Sequence, residues 1–301
     1  MKTKRNVFEK GLLALAIASL FYLSSCNEDK FDFNANDSNN VEGEAETEAY
    51  FEDVDDMSTL AVSADASTST GSRESASGRG GVKPSDPRFT CATVTFEFAA
   101  DNSSAVPHGY ITIDFGTTGC TDAKGNVRKG VIKVEFKGKR FLPNSQIITT
   151  LQAFSINGTV MEGVRTVTNS SASSEANPKF TITIVGGKAT WSDGTSATRE
   201  VNRTREWVRA SNPANDQWIV TGTAAGTNRE GKTYQMEITK PLVYKRECGA
   251  SHKVMLAVEG TKVLKADGKT VTIDFGTGAC DKLITITING KSKEIEVKRN
   301  M

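Results

Sequence analysis

From Phe89 to the C-terminus the chain is built of short runs in which Val, Ile, Thr and Phe alternate with polar residues, and no helical period is sustained. Between the runs stand Asp122-Ala123-Lys124-Gly125-Asn126, Asn157-Gly158, Gly186-Gly187, Asp193-Gly194 and Asp267-Gly268, sequences that suit tight turns. A period of two turns one face of each run inward and the other outward. The pattern therefore predicts an antiparallel all-β body over residues 89–301, a sandwich or extended meander of about 12–15 strands. A body of 213 residues is long enough to bury a core of its own.

Two stretches of the body repeat. Thr112-Ile113-Asp114-Phe115-Gly116-Thr117, followed by Cys120, returns 160 residues later as Thr272-Ile273-Asp274-Phe275-Gly276-Thr277, followed by Cys280. Each copy has a cysteine upstream, Cys91 and Cys248, so the body divides into repeat units at about 89–138 and 246–299 with a middle β section, 139–245. In a hairpin, paired residues have a constant index sum. The runs Ala92 to Phe98 and Tyr110 to Phe115 are centred near residue 104 or 105, which brings Cys91 close to Cys120; Lys253 to Val258 and Thr270 to Phe275 are centred near 264, which sets Cys248 opposite Cys280. Disulfides Cys91–Cys120 and Cys248–Cys280 are expected, each closing a loop of roughly thirty residues worth about 3–4 kcal/mol. Zinc is the rival reading of four cysteines, but the short C-x2-C spacing is absent.

Ahead of the body the pattern changes twice. Lys2, Lys4, Arg5 and Lys10 precede a 13-residue apolar stretch, Gly11 to Leu23, too short for a stable membrane span and suited to a signal peptide over residues 1–25. Leu23-Ser24-Ser25-Cys26 resembles the lipobox of bacterial lipoproteins, which makes Cys26 the expected site of lipidation; two or more acyl chains suffice for stable attachment. Residues 26–88 read as a tether. Within it, residues 27–70 hold 13 acidic residues and one base, Lys30, so this stretch is expected to be mostly disordered. A short helix over 44–60 is the exception, with Phe51, Val54, Met57 and Leu60 on one face as a candidate docking surface for an envelope partner. Gly71 to Gly81 reads as a flexible linker and carries no nucleic-acid-binding tract.

Charge separates tether from body. The chain is +1 overall, with +3 in residues 1–26, −12 in residues 27–70 and +10 in residues 71–301. The body is thus suited to a polyanion such as an acidic glycan or lipopolysaccharide, or to its own tether. Strand alternation over Arg199 to Arg209 puts Arg199, Arg203, Arg205, Trp207 and Arg209 on one side, a candidate ligand face of four guanidiniums and an indole. Cross-strand pairing of those arginines with acids is the alternative.

Signs of catalysis are few. The two histidines, His108 and His252, are far apart in sequence, and no nucleophile elbow, phosphate loop or zinc-protease motif is present. Asp114 and Asp274 offer a carboxylate pair of the kind glycosidases use, but their equivalent places in two copies of one unit favour turn residues accepting backbone hydrogen bonds. No catalytic residue, metal or cofactor is assigned. From the lipobox through Thr239-Lys240-Pro241-Leu242-Val243-Tyr244-Lys245-Arg246 to the closing Asp-Phe-Gly, Cys280 and Ile288-Asn289-Gly290-Lys291, the chain resembles a family of uncharacterised lipoproteins of Bacteroidota. That resemblance implies a cell-envelope β protein and brings no activity with it. In such proteins an acidic patch after the cysteine, here Asn27-Glu28-Asp29, resembles a signal for export to the outer face of the outer membrane. The expected role is non-catalytic binding, adhesion or structural service at the cell surface. The alternatives are a glycoside-active envelope hydrolase or an accessory subunit of an envelope machine.

Overall fold

The computed structural model describes residues 35–66, 83–123, 125–252, 254 and 256–297. Cys26, the acids that follow it and the linker from Gly71 to Gly81 lie outside these residues. A helix, α1 (Ala35–Ala66), precedes fourteen strands: β1 (Thr93–Phe98), β2 (His108–Asp114), β3 (Cys120–Thr121), β4 (Val127–Lys137), β5 (Gln146–Ile156), β6 (Thr159–Asn169), β7 (Lys179–Thr190), β8 (Ser196–Val208), β9 (Gln217–Thr227), β10 (Thr233–Lys245), β11 (Glu259–Ala266), β12 (Lys269–Thr277), β13 (Leu283–Ile288) and β14 (Lys291–Glu296). A short helix, α2 (Arg246–His252), follows β10. All fourteen strands belong to one antiparallel sheet in sequence order, with β3 set aside on β4 and with β1 and β14 at its two ends. The body is all-β, and it takes the meander form.

Turn chemistry sets much of the register. Asn157-Gly158, Asp267-Gly268 and Asn289-Gly290 each form a two-residue loop with positive φ at both positions (51° and 84°, 51° and 74°, 51° and 77°), the geometry that matches the right-handed twist of the strands it joins. The Asp267-Gly268 turn corrects the register expected for the second repeat. It draws Glu259–Ala266, rather than Lys253 to Val258, into the strand opposite Lys269–Thr277, pairing Val263 with Thr272. Cys248 therefore does not face Cys280 across a ladder. It sits on α2 in a small core with Val254 and Val258, against which Leu256 and Cys280 pack. The first hairpin lies close to its expected register, with Val94 opposite Ile113. Both disulfides form as expected, Cys91–Cys120 and Cys248–Cys280, with Cα–Cα separations of 5.5 and 5.0 Å.

One face of the sheet carries the core, from Ile111 and Ile113 on β2 through Val134, Met161, Ile184, Ala224, Met236 and Leu264 to Ile286 and Ile288 on β13. α1 packs on this face. Its buried stripe runs Thr47, Phe51, Val54, Met57 with Ser58, and Ala61, a spacing of three and four that turns one side of the helix inward; Leu60 is half-buried. The Phe51 ring packs at Gly187 on β7, where an added Cβ would stand 3.2 Å from it and 2.3 Å from the Arg199 carbonyl oxygen, so the site has room only for glycine. The helix is longer than the expected 44–60, and its acidic composition is balanced by the face it meets.

The sheet must curve to reach the helix from so many strands. Glu48 is bonded to β8 and lies 3.8 Å from Lys262 on β11, while Asp53, five residues on, is bonded to Arg128 on β4. In a flat sheet β4 and β11 would lie about 34 Å apart, whereas five helical residues advance about 7.5 Å. Register shifts in the β4–β5, β5–β6, β6–β7 and β7–β8 pairings, and again from β9 to β12, provide the local bends. Among the described residues, no helix is long and apolar enough to cross a membrane.

Candidate functional site

The inward face that buries α1 is also cationic, and most of its charges are met by helix acids. Arg203 donates to Glu48, with Arg199 at 3.6 Å and Lys262 at 3.8 Å from the same carboxylate. Arg165 bonds Asp55. Arg128 donates to Asp53 (2.8 Å) and to Asp122 (2.6 Å), and Arg88 reaches Asp53 (3.1 Å), Asp56 (2.5 Å) and Asp86 (2.9 Å). Burial alone would push the Glu48 carboxyl up, but the positive charges of Arg203, Arg199 and Lys262 and the Arg203 hydrogen bond outweigh it and hold the group well below the usual carboxylate range.

This arrangement divides the residues singled out on β8. Arg199 and Arg203 are turned to Glu48 on the helix, long-range partners that strand alternation alone does not reveal. The Arg209 guanidinium donates to the carbonyl oxygens of Ala176 and Glu175, so it ties down a loop. Trp207 donates its Nε1–H to Asp216 (3.0 Å) and stacks on Trp218 with ring centroids 5.5 Å apart. Arg205 lies over the other aromatic surface of this group, 4.3 Å from the Trp218 centroid.

Beside α1, at the end of the face, is a pocket of about 150 Å³. Arg140, Arg205, Phe180 and Trp218 line one part of it, and Asp55, Asp56 and Asn169 another. Arg140 stands over the Phe141 and Phe180 rings, 5.3 and 5.9 Å from their centroids. Burial lowers its pKa; Asp55 opposes that shift, and the nearby positive charge of Arg205 adds to it. Among the described residues, neither Arg140 nor Arg205 makes an ion pair, and the buried Nε of Arg205 has no hydrogen-bond acceptor. Arg140, Phe180 and Trp218 escape a reading by strand alternation within β8, because they come from the β4–β5 connection, β7 and β9. The signal that finds the two aromatic residues is register: Phe180 pairs with Arg205, and Trp207 with Trp218.

The remaining titratable candidates are apart from this pocket. Asp114 and Asp274 each accept the backbone N–H two residues on, from Gly116 (2.7 Å) and Gly276 (2.8 Å), the turn role expected of them. His108 is gripped by Asp101 at Nδ1 and by Glu135 at Nε2 (3.0 Å), and these hydrogen bonds, Glu135 first, raise its pKa against the opposing effect of burial. His252 lies exposed at the end of α2. Among the described residues, no cluster of three or more His, Cys, Asp or Glu side chains is arranged to hold a metal ion. No protein-family model, curated protein or solved structure matches the chain.

Proposed function

We propose that the protein is a lipid-anchored component of the cell envelope whose β body is a non-catalytic binding module for anionic partners, acidic glycans or lipopolysaccharide among them. The single observation that supports binding is the cationic, aromatic face of the sheet, where helix acids neutralise most of the guanidiniums but leave Arg140 and Arg205 without an ion pair. Planar guanidiniums suit carboxylates and phosphates, and an indole suits the flat side of a sugar ring. Anchoring rests on the sequence alone, on Cys26 behind its apolar leader. A partner protein taking the Phe51, Val54 and Met57 stripe would have to draw α1 off the sheet, since these side chains are buried there.

Two measurements test this reading. With Cys26→Ala, the protein is expected in the soluble fraction or as an uncleaved precursor; a mature, lipid-labelled membrane protein would overturn the anchor. Acidic polysaccharide and lipopolysaccharide are expected to bind the full chain at low salt and to weaken steeply at physiological salt, as screened charge contacts do. Binding of neutral and acidic polysaccharide alike, with no salt dependence, would overturn the anionic reading.

A further inference from the structure

The pocket beside α1 has the makings of a discrete subsite. Its volume, about 150 Å³, equals the space of roughly five waters, too small for a length of polymer and enough for one ring or its charged substituent. Two guanidiniums meet there. Arg205 lies over Trp218 at 4.3 Å from the ring centroid, and Arg140 is held over Phe141 and Phe180, so aromatic rings hold both cations, and among the described residues neither has a carboxylate within ion-pair distance. Placing like charges close together in a half-buried site carries a cost that an anion between them would relieve. Two carboxylates also line the pocket, but both are already engaged: Asp55 with Arg165, and Asp56 with Arg88. Asn169 does not compete for an anion with its side-chain oxygen, which accepts from the Ser171 N–H, while its Nδ2 donates to the Arg140 carbonyl oxygen. Phe180, Ile182 and Trp218 give the pocket an apolar wall, the two rings tilted at 39° to each other.

We infer that this pocket binds a single oxyanion carried on a sugar ring, with Arg140 and Arg205 holding the anion and the apolar wall of Phe180, Ile182 and Trp218 bounding the ring. The inference rests on the proposed binding role and assigns it to one site. Such a group has two sources, a uronate of an acidic polysaccharide or a phosphorylated sugar of lipopolysaccharide, and both present the same chemistry to the two arginines.

Calorimetric titration of the full chain in detergent micelles separates the cases, with galacturonate, glucosamine 1-phosphate, inorganic phosphate and neutral galactose as probes. One or both sugar anions are expected to bind and to raise the melting temperature, while galactose does neither; which anion binds more tightly identifies the source. Arg140→Gln with Arg205→Gln is expected to weaken that binding about tenfold or more, since a charge-assisted hydrogen bond is worth roughly 1.5–3 kcal/mol. The same variant should melt no lower than the wild type without ligand, because it breaks no ion pair and removes two like charges from one half-buried site. Arg203→Gln, which breaks a helix contact, should melt lower. Inorganic phosphate binding as tightly as the sugar anions would overturn the role of the ring. Unchanged sugar-anion binding in the double variant would overturn the pocket. If acidic polysaccharide binds wild type and double variant alike, the general binding reading stands without this site; if no polyanion binds at all, both fall.

Discussion

Replacing Arg128 by leucine is expected to lower the free energy of unfolding by about 3–5 kcal/mol, and replacing Asp122 as well should return most of that loss. Arg128 has a side chain only 2% exposed and stands between two acids, Asp122, equally buried, and Asp53 of α1. Leucine takes the guanidinium away from the buried Asp122 carboxylate. Asp122 also accepts from the backbone N–H and the side-chain amide of Asn126. Two leucines remove both charges and leave an apolar contact in their place, so recovery in the double variant separates stranded charge from lost shape. Denaturant unfolding followed by tryptophan fluorescence reads all three proteins. A deficit that persists in the double variant would mean that shape, rather than charge, carries the effect.

Glu48→Gln should be nearly as damaging at neutral pH, by about 3 kcal/mol, because three cations lose the carboxylate that gathers them. This loss depends on pH. The folded-state pKa of Glu48 is depressed, so its contribution is fully present above the unfolded value near 4.5 and is lost as pH falls from there toward the lower folded value. The gap in stability between wild type and Glu48→Gln is therefore expected to be constant from pH 7 to about 5 and to narrow below pH 4.5. A gap that stays constant into strong acid would show that Glu48 acts by packing alone. Since Arg199 and Arg203 lie on β8 and Lys262 on β11, the variant should also loosen α1, read as faster hydrogen exchange along the helix.

What the sequence shows of this fold is whatever is written locally. Asn157-Gly158 and Asp267-Gly268 announce their turns because only certain residues accept positive φ, and the period of two announces strands. The cysteine pairs follow from the repeat even though the second register is offset, since α2 and the core around Val254 and Val258 bring Cys248 to Cys280 by packing rather than by strand opposition. The helix stripe of Phe51, Val54 and Met57 is legible as well, but its destination is not. Arg203 and Glu48 are 155 residues apart, and alternation along β8 says which side chains share a face without saying what covers it. For the same reason the pocket is only half visible in advance. Arg205 belongs to the run of arginines on β8, whereas Arg140, Phe180 and Trp218 are joined to it by curvature and by pairings between strands.

A closed barrel has no free ends, but this sheet has two, and an open ladder frays from its outermost rungs. Interior strands are gripped on both sides, whereas β1 and β14 are each held by one neighbour. The N-terminal end is clamped covalently: Cys91, just ahead of β1, is tied to Cys120 on β3. The matching bond at the other end, Cys248–Cys280, stops short of the edge and leaves β13 and β14 beyond it. There the device is electrostatic, as Lys291, Lys293, Glu294 and Glu296 turn outward on the last strand and discourage pairing with a foreign edge. The two copies of one repeat thus meet the same hazard by different means. The first resists peeling apart, while the second is free to breathe in its last hairpin and is protected mainly from what it would bind when open.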